Sequence, residues 1–178
     1  MTKRLGDSSV QREIEQYVID RINRIGVGSI ESGTELNTDR IILNEKKFEV
    51  DFHQPKKTLG EIYACKFNLQ SAQKKKVQGD LLKMITIEKH WKKKDVSKLF
   101  IMALSCHEPE LNHIPKSKRG TFIVAKDSKH YINTLGENSW IWKTIEDFGF
   151  EIYYILLPEN LSTALEEQRS RQRSALEK

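Results

Sequence analysis

Two acidic residues, Asp51 and Glu61, have the types and the separation from which a metal-dependent site could be built. Each lies in a short segment rich in apolar residues, and a hairpin centred near Lys56 and Lys57 would set the two acids almost opposite each other. Directly opposed carboxylates repel unless a cation lies between them. Hard divalent ions prefer oxygen ligands, so the pair predicts a site for such an ion. A turn of different length, which would leave both acids in solvent, stays open as the alternative.

A polar stripe follows the segment that carries Glu61. Its members are separated by three, four and three residues and therefore share one face of a helix: Gln73, Lys76, Asp80 and Lys83. An adjacent face carries the apolar residues Val77, Leu81, Met84 and Ile85. The apolar face would seat the helix, and the polar stripe could then lie over the two carboxylates. A plain solvated face is the simpler interpretation of such a stripe.

The elements that must position these residues follow from periodicity and breakers. Predicted helices cover about 9–25, 69–90, 138–148 and 159–175, and predicted strands cover 40–43, 48–52, 61–67, 99–104, 121–125 and 151–157. The first three strands are expected to form an antiparallel meander, and strand 151–157 is apolar enough to be buried on both faces. This order predicts an α/β fold, with helices on both sides of one mixed sheet.

Length and composition restrict the class of protein. The 178 residues, of which 31% are charged and 38% hydrophobic, predict a single domain over 1–178. No apolar run is long enough for a membrane span, which predicts no membrane partner. Cys65 and Cys106 lie far apart without metal-ligand spacing, so we expect a reduced, cytoplasmic protein.

The net charge of +5 is concentrated in runs of basic residues. These runs are 74–76, 92–94 and 116–119. Clustered positive charge suits a polyanionic partner, although each run taken alone is equally well explained as a solvated helix end or loop.

The order helix, three strands, helix, strand, with Asp51 in the second strand and Glu61 ten residues later in the third, resembles the PD-(D/E)XK superfamily of restriction-endonuclease-like nucleases. The resemblance implies an αβββαβ core over about 9–105, with additional elements over 106–178. It implies that Asp51 and Glu61 bind Mg²⁺, for which Mn²⁺ may substitute. Glu15 of the first helix, or less favourably Glu13, would join them.

The chain departs from the superfamily pattern at its lysine, because Tyr63 stands where a strict motif after Glu61 has lysine. Lys66 is the nearest lysine of the strand, but its five-residue separation from Glu61 places it on the opposite face of a regular strand. Ala64-Cys65-Lys66 could also fill the motif, with alanine in place of the acid.

A third arrangement takes the catalytic lysine from the helix, as Lys76 with Gln73 beside it, and we favour it. It keeps the two acids and the polar stripe on one side of the sheet. The predicted catalytic residues are therefore Asp51, Glu61, Lys76 and Gln73.

The resemblance also implies a substrate and a setting: DNA, cut by a metal-dependent endonuclease, in bacterial defence or mobile-element biology, by a homodimer or within a larger complex. The basic residues expected to contact DNA are Lys66, Lys74, Lys75, Lys83, Lys92, Lys93 and Lys94. The alternative is a catalytically impaired protein of the same fold that binds nucleic acid or a protein partner. The polar stripe and the Gln/Arg-rich helix at 159–175 also resemble a group of bacterial proteins to which no activity is attached.

Two further sets of residues compete with this interpretation. Asp39, followed ten residues later by Glu49 and then Asp51, mimics the acidic motif one strand earlier. It would leave Glu61 and the stripe without a role. His107, Glu108 and His113 suggest a metal cluster, but their spacing fits no standard site and a polar loop explains them better.

Overall fold

The computed structural model describes residues 9–65, 71–105, 123–124 and 140–176, with the side chains of 71–73, 123–124, 140, 142 and 175–176 left out. The elements are α1 (Ser9–Ile25), β1 (Ile41–Leu43), β2 (Lys46–Phe48), β3 (Phe52–Gln54), β4 (Thr58–Cys65), α2 (Ser71–Trp91), β5 (Ser97–Leu104), β6 (Ile123–Val124), α3 (Trp140–Asp147), β7 (Phe150–Leu156) and α4 (Glu159–Leu176). No helix in this part of the chain has the length and apolar character needed to cross a bilayer.

One five-stranded mixed sheet organises the molecule, in the strand order β3-β4-β5-β7-β6. The pairs β3/β4 and β6/β7 are antiparallel, and β4/β5 and β5/β7 are parallel. α2 is the crossover between β4 and β5, as expected where parallel neighbours follow each other in the chain. The predicted mixed α/β fold is confirmed.

Helices cover both faces of this sheet. On one face, α2 and α3 pack through apolar side chains that include Val77, Leu81, Ile141 and Ile145. On the other face, α1 and α4 pack through Ile14, Val18, Leu161 and Leu165, among others. All eight residues of β4 are buried, because this strand lies inside the sheet and is covered on both faces.

β4 alternates between the two layers, and this alternation aims the site residues. Leu59, Tyr63 and Cys65 belong to the cluster under α2, whereas Ile62 and Ala64 belong to the cluster under α1. Glu61 has the parity of the first set, so its side chain points toward α2.

The predicted three-strand meander is wrong in its details. β1 and β2 form a separate two-stranded hairpin whose turn is Asn44-Glu45, and both turn residues have positive φ, of 47° and 66°. The chain then bends at Asp51 before β3 begins, so segment 48–52 is not one strand. The connection between β3 and β4 is also shorter than predicted, because these strands already pair from Gln54 and Thr58.

The remaining predicted elements agree with the structure where it describes them. The first helix occupies the expected span and ends at Gly26, whose φ of 73° is left-handed. β5, β7, α2, α3 and α4 match their predicted segments to within about two residues. Of predicted strand 121–125, residues 123–124 are described and lie in β6. His107, Glu108 and His113 lie outside the described residues.

Candidate functional site

Asp51 and Glu61 lie opposite each other, as the sequence predicts. The antiparallel register pairs Phe52 with Gly60, and the Asp51 amide donates to the Gly60 carbonyl at 3.1 Å, which continues the ladder by one residue. The Ile62 amide also donates a hydrogen bond to the carboxylate oxygen Oδ2 of Asp51 at 2.6 Å. The main chain therefore fixes the Asp51 carboxylate beside the strand that carries Glu61.

Two lysines of α2 reach the Glu61 carboxylate. Lys83 Nζ makes an ion pair with Glu61 Oε1 and lies 2.7 Å from Asp80 Oδ1. Lys76 Nζ lies 3.9 Å from Glu61 Oε2 and 5.0 Å from the centre of the Tyr63 ring, over its face. The side chain of Lys76 is 50% exposed, whereas that of Lys83 is 22% exposed. Lys83 is thus the enclosed cation of the site, and Lys76 stands at its rim.

Asp80, which the sequence places in the polar stripe, connects this cluster to β4. Its Oδ2 accepts the Tyr63 hydroxyl at 2.6 Å, and its Oδ1 pairs with Lys83. Burial and the neighbouring Asp80 raise the pKa of Tyr63, so the phenol stays protonated and donates. Asp80 therefore holds both the strand residue and the lysine in place.

The electrostatics of the cluster follow from the burial of Glu61, which is 1% exposed. Burial, followed by the charges of Asp51 and Asp80, raises the pKa of Glu61 to about 8, although Lys83 acts in the opposite direction. Burial alone would lower the pKa of Lys83, but Glu61 and Asp80 together raise it. The lysine stays charged, and the site holds more acidic groups than one lysine neutralises.

Glu15 lies at the edge of the same site. Burial raises its pKa, a hydrogen bond from Gln11 at 2.8 Å opposes that shift, and the charges of Asp51 and Lys76 both act on it. Glu15 and Asp51 also line one cleft of about 450 Å³, which Arg12 and Arg40 border. α1 thus brings a further carboxylate to the cleft that Asp51 lines.

The residues present fit a hard divalent cation only in part. Among the described residues, no three His, Cys, Asp or Glu side chains are grouped closely enough to hold a metal ion. Asp51 and Glu61 supply two carboxylates, and Mg²⁺ is commonly held by one or two carboxylates together with water and substrate oxygens. Asp51 and Glu61 match that number of carboxylates, and Glu15 lies at the cleft without completing a group of three.

The acids of the competing set, Asp39 and Glu49, line the same cleft as Asp51 and Glu15, but each is already paired with a basic side chain. Asp39 Oδ1 lies 3.0 Å from His53 Nε2, and Glu49 is paired with Arg40 on the surface. Neither acid contacts a lysine of α2 in the described part of the chain. Asp51 thus lies between the two sets: it lines the cleft with Asp39 and Glu49, and its main chain pairs with the strand that carries Glu61, whose carboxylate contacts Lys76 and Lys83.

The other predicted site residues are distributed as follows. Lys66 and the side chain of Gln73 lie outside the described residues. Lys75, Lys92, Lys93 and Lys94 are exposed and Lys74 is partly exposed, so solvent reaches all five. Tyr63 is the contributor that sequence reasoning missed, and its signal was present, because i and i+2 of a strand share a face and Tyr63 follows Glu61 by two.

Comparisons of this chain with protein-family models, with curated proteins and with solved structures find no match.

Proposed function

We propose that this protein is a divalent-metal-dependent endonuclease that hydrolyses phosphodiester bonds in DNA. The observation that supports the proposal is the geometry at β4: two opposed carboxylates, Asp51 and Glu61, with the Lys83 ammonium in contact with one of them. Opposed acids with an adjacent lysine are the groups that phosphodiester hydrolysis requires, namely ligands for a cation and a positive charge near the developing anion.

Each residue has a part that its environment explains. Asp51 and Glu61 would hold Mg²⁺, or Mn²⁺ in its place, which when bound neutralises phosphate charge and lowers the pKa of a water molecule. Asp51 is oriented by the Ile62 amide, and Glu61 is held by Lys83. Glu15 borders the open cleft, where it can bind water or the ion from the solvent side.

Lys83 is the better candidate for the catalytic lysine. Its ammonium is enclosed and fixed between Glu61 and Asp80, so it can steady an attacking water or the charge on phosphorus without reorganising. Lys76 is half exposed at the rim of the site, which suits a contact with the substrate phosphate. The prediction of Lys76 as the catalytic lysine is thus replaced in this proposal by Lys83, with Lys76 beside it.

The test is nicking of supercoiled plasmid with Mg²⁺, with Mn²⁺ and with EDTA. Asp51→Asn and Glu61→Gln keep the shape of each side chain and remove its charge, so both should abolish metal-dependent nicking. Asp39→Asn and Glu49→Gln are matched controls from the competing acidic set and should nick like the wild type. Loss of activity in these controls but not in Asp51→Asn or Glu61→Gln would reject the proposed site.

A second candidate function has its own supporting observation. Tyr63 occupies the position of the superfamily lysine, and Lys83 and the Ile62 amide already engage one oxygen each of Glu61 and Asp51. This favours a nuclease-fold protein that binds DNA or a protein partner without cutting. No nicking with either metal, together with a salt-dependent shift of DNA, would select this function.

The proposed function includes a cellular location and an oligomeric state. From the superfamily resemblance, the proposed setting is the cytoplasm of a bacterial cell, in a defence or mobile-element context. Cleavage of both strands would be most direct for a homodimer or a larger complex that supplies two such sites. Comparison of nicked and linear products at increasing protein concentration measures this directly.

A further inference from the structure

Eight exposed lysines gather at one end of the sheet, on three different elements. They are Lys46 and Lys47 of the β1–β2 hairpin, Lys56 and Lys57 of the β3–β4 turn, and Lys89, Lys92, Lys93 and Lys94 of the end of α2 and the loop after it. We call this surface the basic end. Of these eight lysines, only Lys92, Lys93 and Lys94 are among the residues that the sequence predicts to contact DNA.

Two hydrogen bonds join the three elements. The side chain of Asn44, in the turn of the β1–β2 hairpin, lies 3.1 Å from His90 Nε2 in the last turn of α2. The Ser97 amide, at the start of β5, donates to the Lys57 carbonyl of the β3–β4 turn at 2.9 Å. The lysine-bearing loop 92–94 therefore lies between the two hairpin turns, and the three elements form one surface.

Acids on the three elements themselves offset little of the positive charge of the basic end. Glu88, the acid nearest to it in α2, is partly buried and paired with Lys98 Nζ at 2.9 Å, so it faces inward. Glu45 and Asp95 are the acids on the three elements themselves, and both are exposed. Eight lysines against two acids leave a strong positive field at this surface.

We propose that the basic end binds the phosphate backbone of double-stranded DNA next to the candidate site. The inference rests on the proposed function for its choice of substrate. From Thr58 to Glu61 the strand spans about 10 Å, and from Lys83 to Lys92 the helix spans about 14 Å. A stiff duplex that contacts the basic end therefore reaches the site within about three to four base pairs.

The chemistry of the surface favours a duplex over a single strand. Lysines act as point charges on phosphate, whereas single-strand surfaces combine charge with aromatic rings on which bases stack. The aromatic rings of Phe48, in the β1–β2 hairpin, and Trp91, at the end of α2, pack against the core under α2. The surface is therefore suited to backbone contacts, without direct reading of sequence.

The experiment measures binding in EDTA, where cleavage is absent, by fluorescence anisotropy of a labelled DNA duplex of about two helical turns and of one of its single strands. Two double variants, Lys46→Gln with Lys47→Gln and Lys56→Gln with Lys57→Gln, each remove two charges. Arg171→Gln with Arg173→Gln removes two exposed charges of α4 and is the matched control.

Each hairpin variant should lower the slope of log affinity against log salt by about 2, since each lost lysine contact removes about 1, and the control should keep the wild-type slope. The duplex should bind more tightly than the single strand. Equal slopes for the hairpin variants and the control, or tighter binding of the single strand, would overturn the inference.

These outcomes are separable from the proposed activity. If the hairpin variants bind like the wild type while nicking still depends on Asp51 and Glu61, the basic end is rejected and the nuclease proposal stands. If the wild type never nicks but the hairpin variants lose their salt slope, the basic end stands and the nuclease proposal is rejected.

Discussion

Glu61 places an acid where the fold tolerates it least. It is 1% exposed, in a strand buried on both faces, with Asp51 opposite and Asp80 nearby. A lone carboxylate at such a position costs several kcal/mol when it ionises, and contact with Lys83 offsets part of this. A buried acid with a strongly raised pKa and a specific charged partner is a candidate for a functional residue.

The stability of the metal-free protein should therefore depend on the ionisation of Glu61. Its pKa is raised to about 8 in the folded state, above its ordinary value, so its contribution is fully present below pH 4.5 and is lost as the pH rises through 8. Glu61→Gln removes this dependence. In EDTA, the wild type should therefore lose free energy of unfolding as the pH rises from 5 to 8, whereas the variant should not. The difference between the variant and the wild type should change in favour of the variant by up to a few kcal/mol over this range.

Urea unfolding at the two pH values measures this difference, with Glu49→Gln as the control, because Glu49 is 67% exposed and its replacement should not alter the pH dependence. A Glu61→Gln variant that lost stability relative to the wild type as the pH rose would contradict the sign.

The two lysines of the site should differ in their effect on catalysis. Lys83→Met removes an enclosed ammonium in contact with Glu61 and should lower kcat by about 10²–10³, the usual cost of one preorganised stabilising group. Lys76→Met removes a half-exposed charge at the rim and should act mainly on KM. Single-turnover cleavage of labelled duplex with Mg²⁺ separates the two. A larger loss of kcat in Lys76→Met would restore Lys76 as the catalytic lysine.

At the scale of elements, the β3–β4 hairpin sets the alignment of the two acids, and Gly60 makes its close packing possible. A Cβ at Gly60 would lie 2.0 Å from the Phe52 ring, which is fully buried on the paired strand. The glycine thus lets Phe52 cover β4 directly beside the acids, within the register that sets Asp51 opposite Glu61.

Gly60→Ala should destabilise the protein by about 2–3 kcal/mol or more, because the overlap involves a packed ring rather than a flexible side chain. Gly79→Ala is the matched control. Gly79 lies in α2 with nothing within 4 Å of an added Cβ, so alanine should stabilise the helix by about 0.5–1 kcal/mol. Thermal unfolding of both variants measures whether their stabilities change in opposite directions. If Gly60→Ala left the stability unchanged, Phe52 would be able to move aside.

The sequence predicted the helices and the buried strands well because their periodic apolar positions are also their packing positions. Ile14, Val18 and Ile22 mark α1 and are all buried in the structure. The polar stripe was predictable for the same reason, since helical spacing alone places Lys76, Asp80 and Lys83 on one face. The contact between that face and Glu61 follows from the short link between β4 and α2.

The predicted meander was less accurate, because β1, β2 and β3 have only three residues each and their bounds depend on turns. Asn44 and Glu45 both adopt positive φ. Asparagine adopts this conformation readily, but a glutamate in the sequence does not indicate such a turn. Asp51 was expected inside a strand, whereas it lies in a bend where its carboxylate binds the Ile62 amide. Its position opposite Glu61 was nevertheless correct, because the register depends on the turn near Lys56.

At the scale of the whole molecule, the sheet separates two helical layers, and α4 completes the one that contains α1. The sequence of α4 is mostly polar and offers few apolar positions by which it could pack against the sheet. In the structure, Leu161 and Leu165 are buried in the cluster with α1, and Arg169 donates to the Ala64 carbonyl near the end of β4 at 3.1 Å. The first three turns of α4 therefore belong to the fold, whereas residues 170–174 are exposed.

Leu165→Ala should consequently destabilise the entire protein and not α4 alone. Leu165 is 5% exposed, and truncation of a buried leucine costs about 2–5 kcal/mol. Leu82→Ala is the control, because Leu82 is 60% exposed and its loss should change stability by less than about 0.5 kcal/mol. Urea unfolding followed in parallel by far-UV circular dichroism and by tryptophan fluorescence should shift to lower urea in one coincident transition. Coincidence is expected because a helix that is packed through Leu161 and Leu165 unfolds only together with the sheet it covers. Separate transitions for the two signals, with only a small loss of helicity at low urea, would instead show that α4 unfolds independently of the sheet.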